Sequence, residues 1–315
     1  MLKTLTVGYR AGDLFEKTKR GERVSATWLQ GDVTCHTLDL YDRHAIEKTH
    51  HAKAICAPHL PDGPWQLIKF RTGPKLMSGE LALNLLQEIH LLKKKCACKV
   101  EIDFVGRERD KNDLLSKIKD DPGRIRDFSA RWKASVPGIE PLEFTSVPGC
   151  FCHRRLDEGG LALAEVASRE LKETNGEKRL LDMGCGCGLV GYLIAKAAKD
   201  ISLVMVDSHS RAVEAANINS ANLKIPAEVI LSDTGTPERM DGTFDVFVGN
   251  PPYYSDYRIA DVFLETAKRA LKIGGVCYTV CKNAAGLVPV QERYFPSVEI
   301  INRRGYAVLK SVKGL

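Results

Sequence analysis

The sequence predicts an α/β protein whose second half is a doubly wound, mainly parallel sheet, and three observations carry that reading. Beyond residue 150 or so, short apolar runs alternate with stretches of helical apolar spacing, the pattern of β-α-β units. A glycine-rich turn, Gly184-Cys185-Gly186-Cys187-Gly188, separates the first such run from the helix after it. A later apolar run stops abruptly at Asn250-Pro251-Pro252-Tyr253. Residues 1–140 are expected to form a separate, N-terminal α/β domain and residues 141–315 the domain that carries the chemistry.

Taken in order, 156–173 has the apolar spacing of a helix, and 179–182 is a short apolar strand. The glycine turn follows, then a helix through about 198, a strand at 201–207 and a helix at 210–222. Strands are expected at 229–231, 244–249 and 275–281, with a helix at 259–271 before the last. The runs 298–302 and 306–309, split by Arg303-Arg304-Gly305, read as a closing hairpin. Ser135-Val136-Pro137-Gly138 and Pro141 break regular structure, so the domain boundary is placed at 135–145. Before it, 81–92 is an amphipathic helix, 99–105 a strand ending at Gly106, and 24–42 has room for two strands. No internal repeat and no catalytic constellation stands out there; His44, His50, His51 and His59 are read as surface histidines.

With 315 residues, 44% hydrophobic and 27% charged, the chain can bury two ordinary cores. No apolar run approaches the ~20 residues that span a bilayer, and the first twenty lack the apolar stretch of a secretory leader. A cytoplasmic, monomeric protein with no membrane partner is expected. None of the ten cysteines falls in a C-x-x-C pair, and reduced thiols are expected. Cys277 and Cys281 read as core residues. Cys150, Cys152 and His153 have the chemistry of metal ligands, yet a structural role is expected of them and no zinc. The net charge of +6 lies entirely before the boundary: residues 1–140 hold 25 Lys+Arg against 19 Asp+Glu, and residues 141–315 hold 21 against 21. Lys93, Lys94, Lys95, Lys99, Arg124, Arg126, Arg131 and Lys133 are candidate phosphate contacts. Each cluster alone is ordinarily a solvated face; together they favour nucleic acid.

The turn at 184–188 brings backbone close to a ligand, because glycine alone has no side chain to prevent it. The next helix aims its first amides at the same place. Gly186, Gly188 and Gly191 satisfy the dinucleotide pattern G-x-G-x-x-G, whereas Gly184, Gly186 and Gly188 satisfy G-x-G-x-G. In either case Asp207, at the end of the next strand, is placed to accept from ribose hydroxyls. Asp182 tilts the choice: a carboxylate just before the loop repels a pyrophosphate and favours a cationic ligand.

At 250–253 the two prolines fix φ and remove two amide donors, so the turn is rigid. The Asn250 side-chain oxygen and a proline carbonyl make two acceptors at the C-terminal edge of the sheet, where open α/β folds bind ligands. Two acceptors suit an exocyclic amino group, and the flat ring of Tyr253 suits a stacked base.

This Asn-Pro-Pro-Tyr segment resembles the motif of amino-group methyltransferases that act on adenine N6, guanine N2 or a glutamine side chain. Pro148-Gly149-Cys150-Phe151 with Leu156-Asp157-Glu158-Gly159 is similar, further, to the segment preceding the glycine loop in the small-domain rRNA guanine-N2 methyltransferases. The likeness runs from about 148 to 310 and is faint before; Cys152-His153 departs from the small hydroxyl residue usual after the Phe. The resemblance implies a Rossmann-like seven-stranded methyltransferase domain, a degenerate methyltransferase-like N-terminal domain (67–106 is similar to part of one) and S-adenosyl-L-methionine as cofactor. It implies that Asp182, Gly184 and Gly186 line the methionine moiety, Asp207 the ribose, Asp233 the adenine amine, that Phe151 packs at the cofactor's edge, and that Gly188 is cofactor-binding as part of the loop. Asn250, Pro251, Pro252 and Tyr253 would hold the target base, in RNA and most specifically in ribosomal RNA or a ribosomal subunit. Adenine N6, a protein glutamine, a nicotinamide-dependent oxidoreductase and a non-enzymatic RNA-binding protein remain as competing readings at this point.

Overall fold

The structure, a computed structural model, describes residues 2–18, 22–117, 125–173, 176–252 and 257–315. The chain divides into two compact units, Met1–Ser129 and Ala130–Leu315.

The first unit is built on β1 (Thr4–Val7), β2 (Phe15–Lys17), β3 (Arg23–Ser25), β4 (Val33–Thr37), α1 (Leu40–His50), β5 (Lys53–Cys56), β6 (Leu67–Thr72), α2 (Gly79–Cys96), β7 (Lys99–Phe104) and α3 (Glu108–Ser116). Five of the strands form a parallel sheet in the order β5-β4-β1-β6-β7, and β2 pairs with β3 as a small hairpin. Ser78 caps α2 by accepting from the Leu81 amide. From α2, Leu85, Leu86 and Ile89 pack with Leu5, Val7, Ile68 and Phe70 of the central strands. His44, His51 and His59 are exposed, but His50 is half-buried. Its ring pairs with the Ser25 hydroxyl and the Ala11 carbonyl, each at 2.8 Å, and leans on Phe15. Polar partners therefore tie it into the fold, contrary to the reading as a surface residue.

The second unit opens with the hairpin β8 (Ala130–Ala134) and β9 (Leu142–Ser146). The compact units divide at Ser129/Ala130, a few residues before the expected 135–145, and Pro137 and Gly138 lie between the two strands of this hairpin. Then come α4 (Glu158–Leu171), β10 (Lys178–Met183), α5 (Leu189–Ala197), β11 (Ile201–Asp207), α6 (Ser210–Leu223), β12 (Ala227–Leu231), β13 (Phe244–Gly249), α7 (Arg258–Ala270), β14 (Leu271–Cys281), α8 (Ala284–Glu292), β15 (Glu299–Arg303) and β16 (Tyr306–Val312). They form a seven-stranded sheet, β12-β11-β10-β13-β14-β16-β15, parallel from β12 to β14, with β16 running antiparallel to both β14 and β15. Apolar side chains cover both faces, as a parallel sheet requires. Leu180 packs with Leu163, Tyr192 and Val248, while its neighbour Leu181 packs with Val204, Phe247 and Leu264. The fold is Rossmann-like α/β, and the first unit repeats the order of the second unit's five parallel strands. Among the described residues, no helix is long and apolar enough to cross a membrane.

Candidate active site

The site candidates collect at the C-terminal edge of the second unit's sheet, because β10, β11 and β13 all end there. Strand β10 lies between the other two, with Met183 level with Val206 on one side and Gly249 on the other. The residues that follow these strands, Gly184, Asp207 and Asn250, are thereby gathered at one edge.

Gly184, Gly186 and Gly188 all take positive φ, at 69°, 56° and 86°. The reasons differ. A Cβ on Gly184 would lie 2.6 Å from the Phe263 ring, and one on Gly188 only 2.3 Å from the ring of Tyr192. A Cβ on Gly186 would meet nothing within 4 Å, so that glycine borders open space. The loop is held to the sheet by Gly184 and Cys185 amides donating to the Val206 carbonyl, at 2.8 and 3.1 Å.

Asp182 is 2% exposed, and its Oδ2 accepts from the Gly191 amide at 2.9 Å. Burial pushes its pKa up to about 7, the Gly191 amide draws it back part way, and the charges of Asp207 and Asp157 add to the rise. The Asp207 carboxylate accepts from the Gly186 amide and the His209 amide, both at 2.9 Å. Asp233 lies in the turn after β12, where the Thr234 amide donates to the Ser232 hydroxyl and the Ser232 amide to the Asp207 carbonyl at 2.9 Å. That turn is thus tied to the end of β11.

Asn250 follows β13 and is half-buried; Pro251 is buried and Pro252 partly so. Tyr253 lies outside the described residues. The Asn250 Nδ2 donates to Oδ2 of Asp157 at 2.9 Å. Asp157 caps α4, its Oδ1 accepting from the Gly159 amide at 3.1 Å. Asp157 belongs to the Leu156-Asp157-Glu158-Gly159 segment, whose local pattern carries no sign of a link to Asn250. The helix expected from 156 begins instead at Glu158, and this later start makes Asp157 its cap.

Phe151 is 66% exposed. It sits in a turn with Gly149 at φ 103°, Cys152 at 53° and Arg154 at 66°. The turn is anchored by Arg211, itself buried, whose Nη1 donates to the Pro148 carbonyl at 3.0 Å while the Cys150 thiol meets the Arg211 carbonyl. His153 pairs with the Ser146 hydroxyl at 2.9 Å. Among the described residues, no three His, Cys, Asp or Glu side chains are grouped to hold a metal. Cys150, Cys185 and Cys187 are buried near the loop, and burial pushes each thiol up, Cys150 to about 12. Thiols raised in this way favour the neutral form and pack as small apolar groups. Cys277 and Cys281 are core residues.

Asp157, Asp182 and Asp207 make the loop's surroundings acidic. A pyrophosphate needs the first amides of the helix after the loop, yet in α5 the Gly191 amide is already given to a carboxylate. The arrangement suits a cationic ligand.

A family description, "Methyltransferase small domain", matches residues 141–310, more than half of the chain. The chain belongs to the methyltransferase small domain family. The family match takes in the glycine loop, Asp157 and Asn250 together, and the dinucleotide reading of Gly186, Gly188 and Gly191 is set aside. The chain is 29% identical over 187 residues to ribosomal RNA small subunit methyltransferase C of Haemophilus influenzae, covering 58% of this chain and 54% of that one. It is 31% identical over 206 residues to ribosomal RNA large subunit methyltransferase G of Streptomyces avermitilis, covering 61% and 52%. The chain thus spans about half the length of the curated relatives it matches. A solved structure, a T. thermophilus 16S rRNA N2 methyltransferase in complex with AdoMet and guanosine, superposes with a TM-score of 0.72 at 16% identity. That likeness covers 99% of this chain and 88% of that one, and it is one of fold.

Proposed function

We propose that this chain is an S-adenosylmethionine-dependent N-methyltransferase acting on the guanine N2 amine of ribosomal RNA, in the cytoplasm and as a monomer. The single observation that carries the proposal is the juxtaposition of the Asn250-Pro251-Pro252 turn with the glycine loop, set by the pairing of Met183 with Gly249. The residues present fit the cofactor. Gly186 borders open space, and the buried carboxyl of Asp182, with Asp207 and Asp157 near, suits a sulfonium or ammonium group.

When bound, S-adenosylmethionine supplies an electrophilic methyl group on a cationic sulfur. Asp182, Gly184 and Gly186 would line its methionine part, Asp207 its ribose, Asp233 its adenine, and Phe151 its edge, with Gly188 shaping the loop. On the acceptor side, the Asn250 Oδ1 and a proline carbonyl of the turn take the two amine protons as hydrogen bonds, and Tyr253 stacks on the base. Both contacts orient the nitrogen lone pair, so the residues act by proximity and orientation. The amine releases its surplus proton to solvent, and no strong base is required. A paired guanine is out of reach, so the target is unpaired or flipped out. The printed names of the two relatives, both rRNA methyltransferases, and the basic N-terminal part favour ribosomal RNA.

Calorimetry with S-adenosylmethionine, S-adenosylhomocysteine and NADH tests the cofactor; the first two should bind at micromolar concentration and NADH should not. Small- and large-subunit rRNA transcribed in vitro, and assembled subunits, then serve as acceptors, with the product nucleoside identified by mass spectrometry. N2-methylguanosine is the expected product, with a loss of kcat of about 10²-fold or more in Asn250→Ala. N6-methyladenosine, or methyl transfer to protein alone, overturns the acceptor; undiminished activity of Asn250→Ala overturns the site.

A further inference from the structure

Asn250 has a chemical ambiguity that its backbone does not resolve. A carboxamide turned about its last bond exchanges an acceptor for a donor. Only one of the two orientations presents Oδ1 where an amine is to be held; the other presents an NH2 group that repels it. In this structure the Nδ2 of Asn250 donates to Asp157 Oδ2 at 2.9 Å. An ionised carboxylate only accepts, so this bond exists in one orientation alone, with Oδ1 on the side away from Asp157.

Asp157 is itself held. Its Oδ1 takes the Gly159 amide at the start of α4. A Cβ on Gly160 would come within 2.5 Å of Oδ2, and one on Gly159 within 3.1 Å of the Tyr306 ring. The two glycines after Asp157 therefore let the carboxylate fold back over the first turn of the helix. One oxygen serves the helix and the other reaches a residue 93 positions along the chain.

We infer that Asp157 is a positioning residue for methyl transfer, fixing the Asn250 carboxamide with its oxygen toward the acceptor amine; this rests on the reading of Asn250 given above. The charge-assisted bond also polarises the amide and makes Oδ1 the stronger acceptor. In this role Asp157 acts on the acceptor through Asn250.

Asp157 is a helix cap as well, and the test separates the two roles. Ser and Asn cap helices about as well as Asp. Asp157→Ser keeps a cap but is too short to reach Asn250. Asp157→Asn keeps the cap and the reach, but its amide can donate as well as accept, so it no longer dictates one orientation. Both variants should keep the thermal midpoint of the parent, and because both remove the same carboxylate from the loop's surroundings, any weakening of S-adenosylmethionine binding should be the same in the two. With the rRNA accepted in the assay above, Asp157→Ser should lower kcat about 10- to 100-fold, and Asp157→Asn by less, with KM little changed. In the double variant, Asp157→Ser with Asn250→Ala should be no slower than Asn250→Ala alone, since both changes remove one function. A merely structural role predicts instead that the two losses multiply. Full kcat in Asp157→Ser, or multiplying losses in the double variant, overturns the inference while leaving the role of Asn250 intact. Full activity in Asn250→Ala defeats the reading underneath it.

Discussion

A carboxyl buried at the end of a central strand makes the protein's stability depend on pH in a predictable sense. An Asp in the unfolded chain titrates near 4, whereas Asp182 in the folded chain titrates at about 7. Between those values the folded chain holds a proton that the unfolded chain has released, so stability falls as pH rises from about 4 to about 7 and is level above. Asp182→Asn keeps an acceptor for the Gly191 amide and carries no charge. It should remove that slope and leave the free protein more stable than the parent at pH 8, on the order of a few kcal/mol, as read by urea unfolding at pH 5 and pH 8. Its ligand binding should move the other way. A cationic ligand favours the ionised carboxyl, so S-adenosylmethionine should bind the parent more tightly as pH passes through 7, and Asp182→Asn should bind weakly at every pH. A parent whose stability is level between pH 4 and 7 would show that Asp182 stays ionised. Stability given up at a single buried residue is how functional sites commonly depart from the rest of a fold.

Among the elements, the glycine loop separates what folding requires from what binding requires. Gly188 caps α5, and its missing Cβ makes room for Tyr192, whose hydroxyl donates to the Ala216 carbonyl at 2.7 Å inside the core. Gly188→Ala adds backbone strain to overpacking and should cost about 2–4 kcal/mol in thermal or urea unfolding. Gly186→Ala meets no neighbour and should cost only about 1–2 kcal/mol for its left-handed backbone. It should nonetheless weaken S-adenosylmethionine binding about tenfold or more in calorimetry, since its methyl enters the space the cofactor needs. Equal effects of the two variants on stability would remove the distinction. The loop, β10, β11, α6 and β13 were legible in the sequence because their signals are local: an apolar run, a turn residue, a change of period. Other elements lacked that signal. Helix α1 buries only Leu40 and Ile46, too few for an apolar stripe. Helix α8 contains Pro289 and Gly286, which read as breakers. The bond between Asp157 and Asn250 was invisible because it joins α4 to the end of β13, and no short-range pattern records such a pairing.

At the scale of the whole molecule, the two units share a strand order and differ in what stands at the C-terminal edge of the sheet. Where the second unit has its glycine loop, the first has Gly8-Tyr9-Arg10 after β1, and where the second has Asn250-Pro251, the first has Gly73-Pro74 after β6. Arg71 at that edge pairs with Asp13 and Asp103 and lies over the Tyr9 ring, so ion pairs occupy the place of a binding site. The chemistry proposed above is placed in the second unit, and the question for the remainder is which surface meets a polyanion. Net charge alone pointed to residues 1–140, but several of those lysines are engaged: Lys95 with Asp62, Lys99 and Lys69 with Glu101. Arg124 lies outside the described residues. Arg131 and Lys133 are exposed on β8, alternating with buried Ala130 and Ala134, while Trp132 between them stacks on Phe144. They project from a rigid hairpin of the second unit. The double variant Arg131→Glu, Lys133→Glu should lower affinity for single-stranded rRNA about tenfold at low salt and flatten the dependence of log K on log salt by about two. Stability should change by no more than about 0.5 kcal/mol, because both side chains are exposed, and the Kd for S-adenosylmethionine should not move. Unaltered RNA affinity together with an unaltered salt slope would place the polyanion contact on another surface and leave the hairpin a structural element of the second unit.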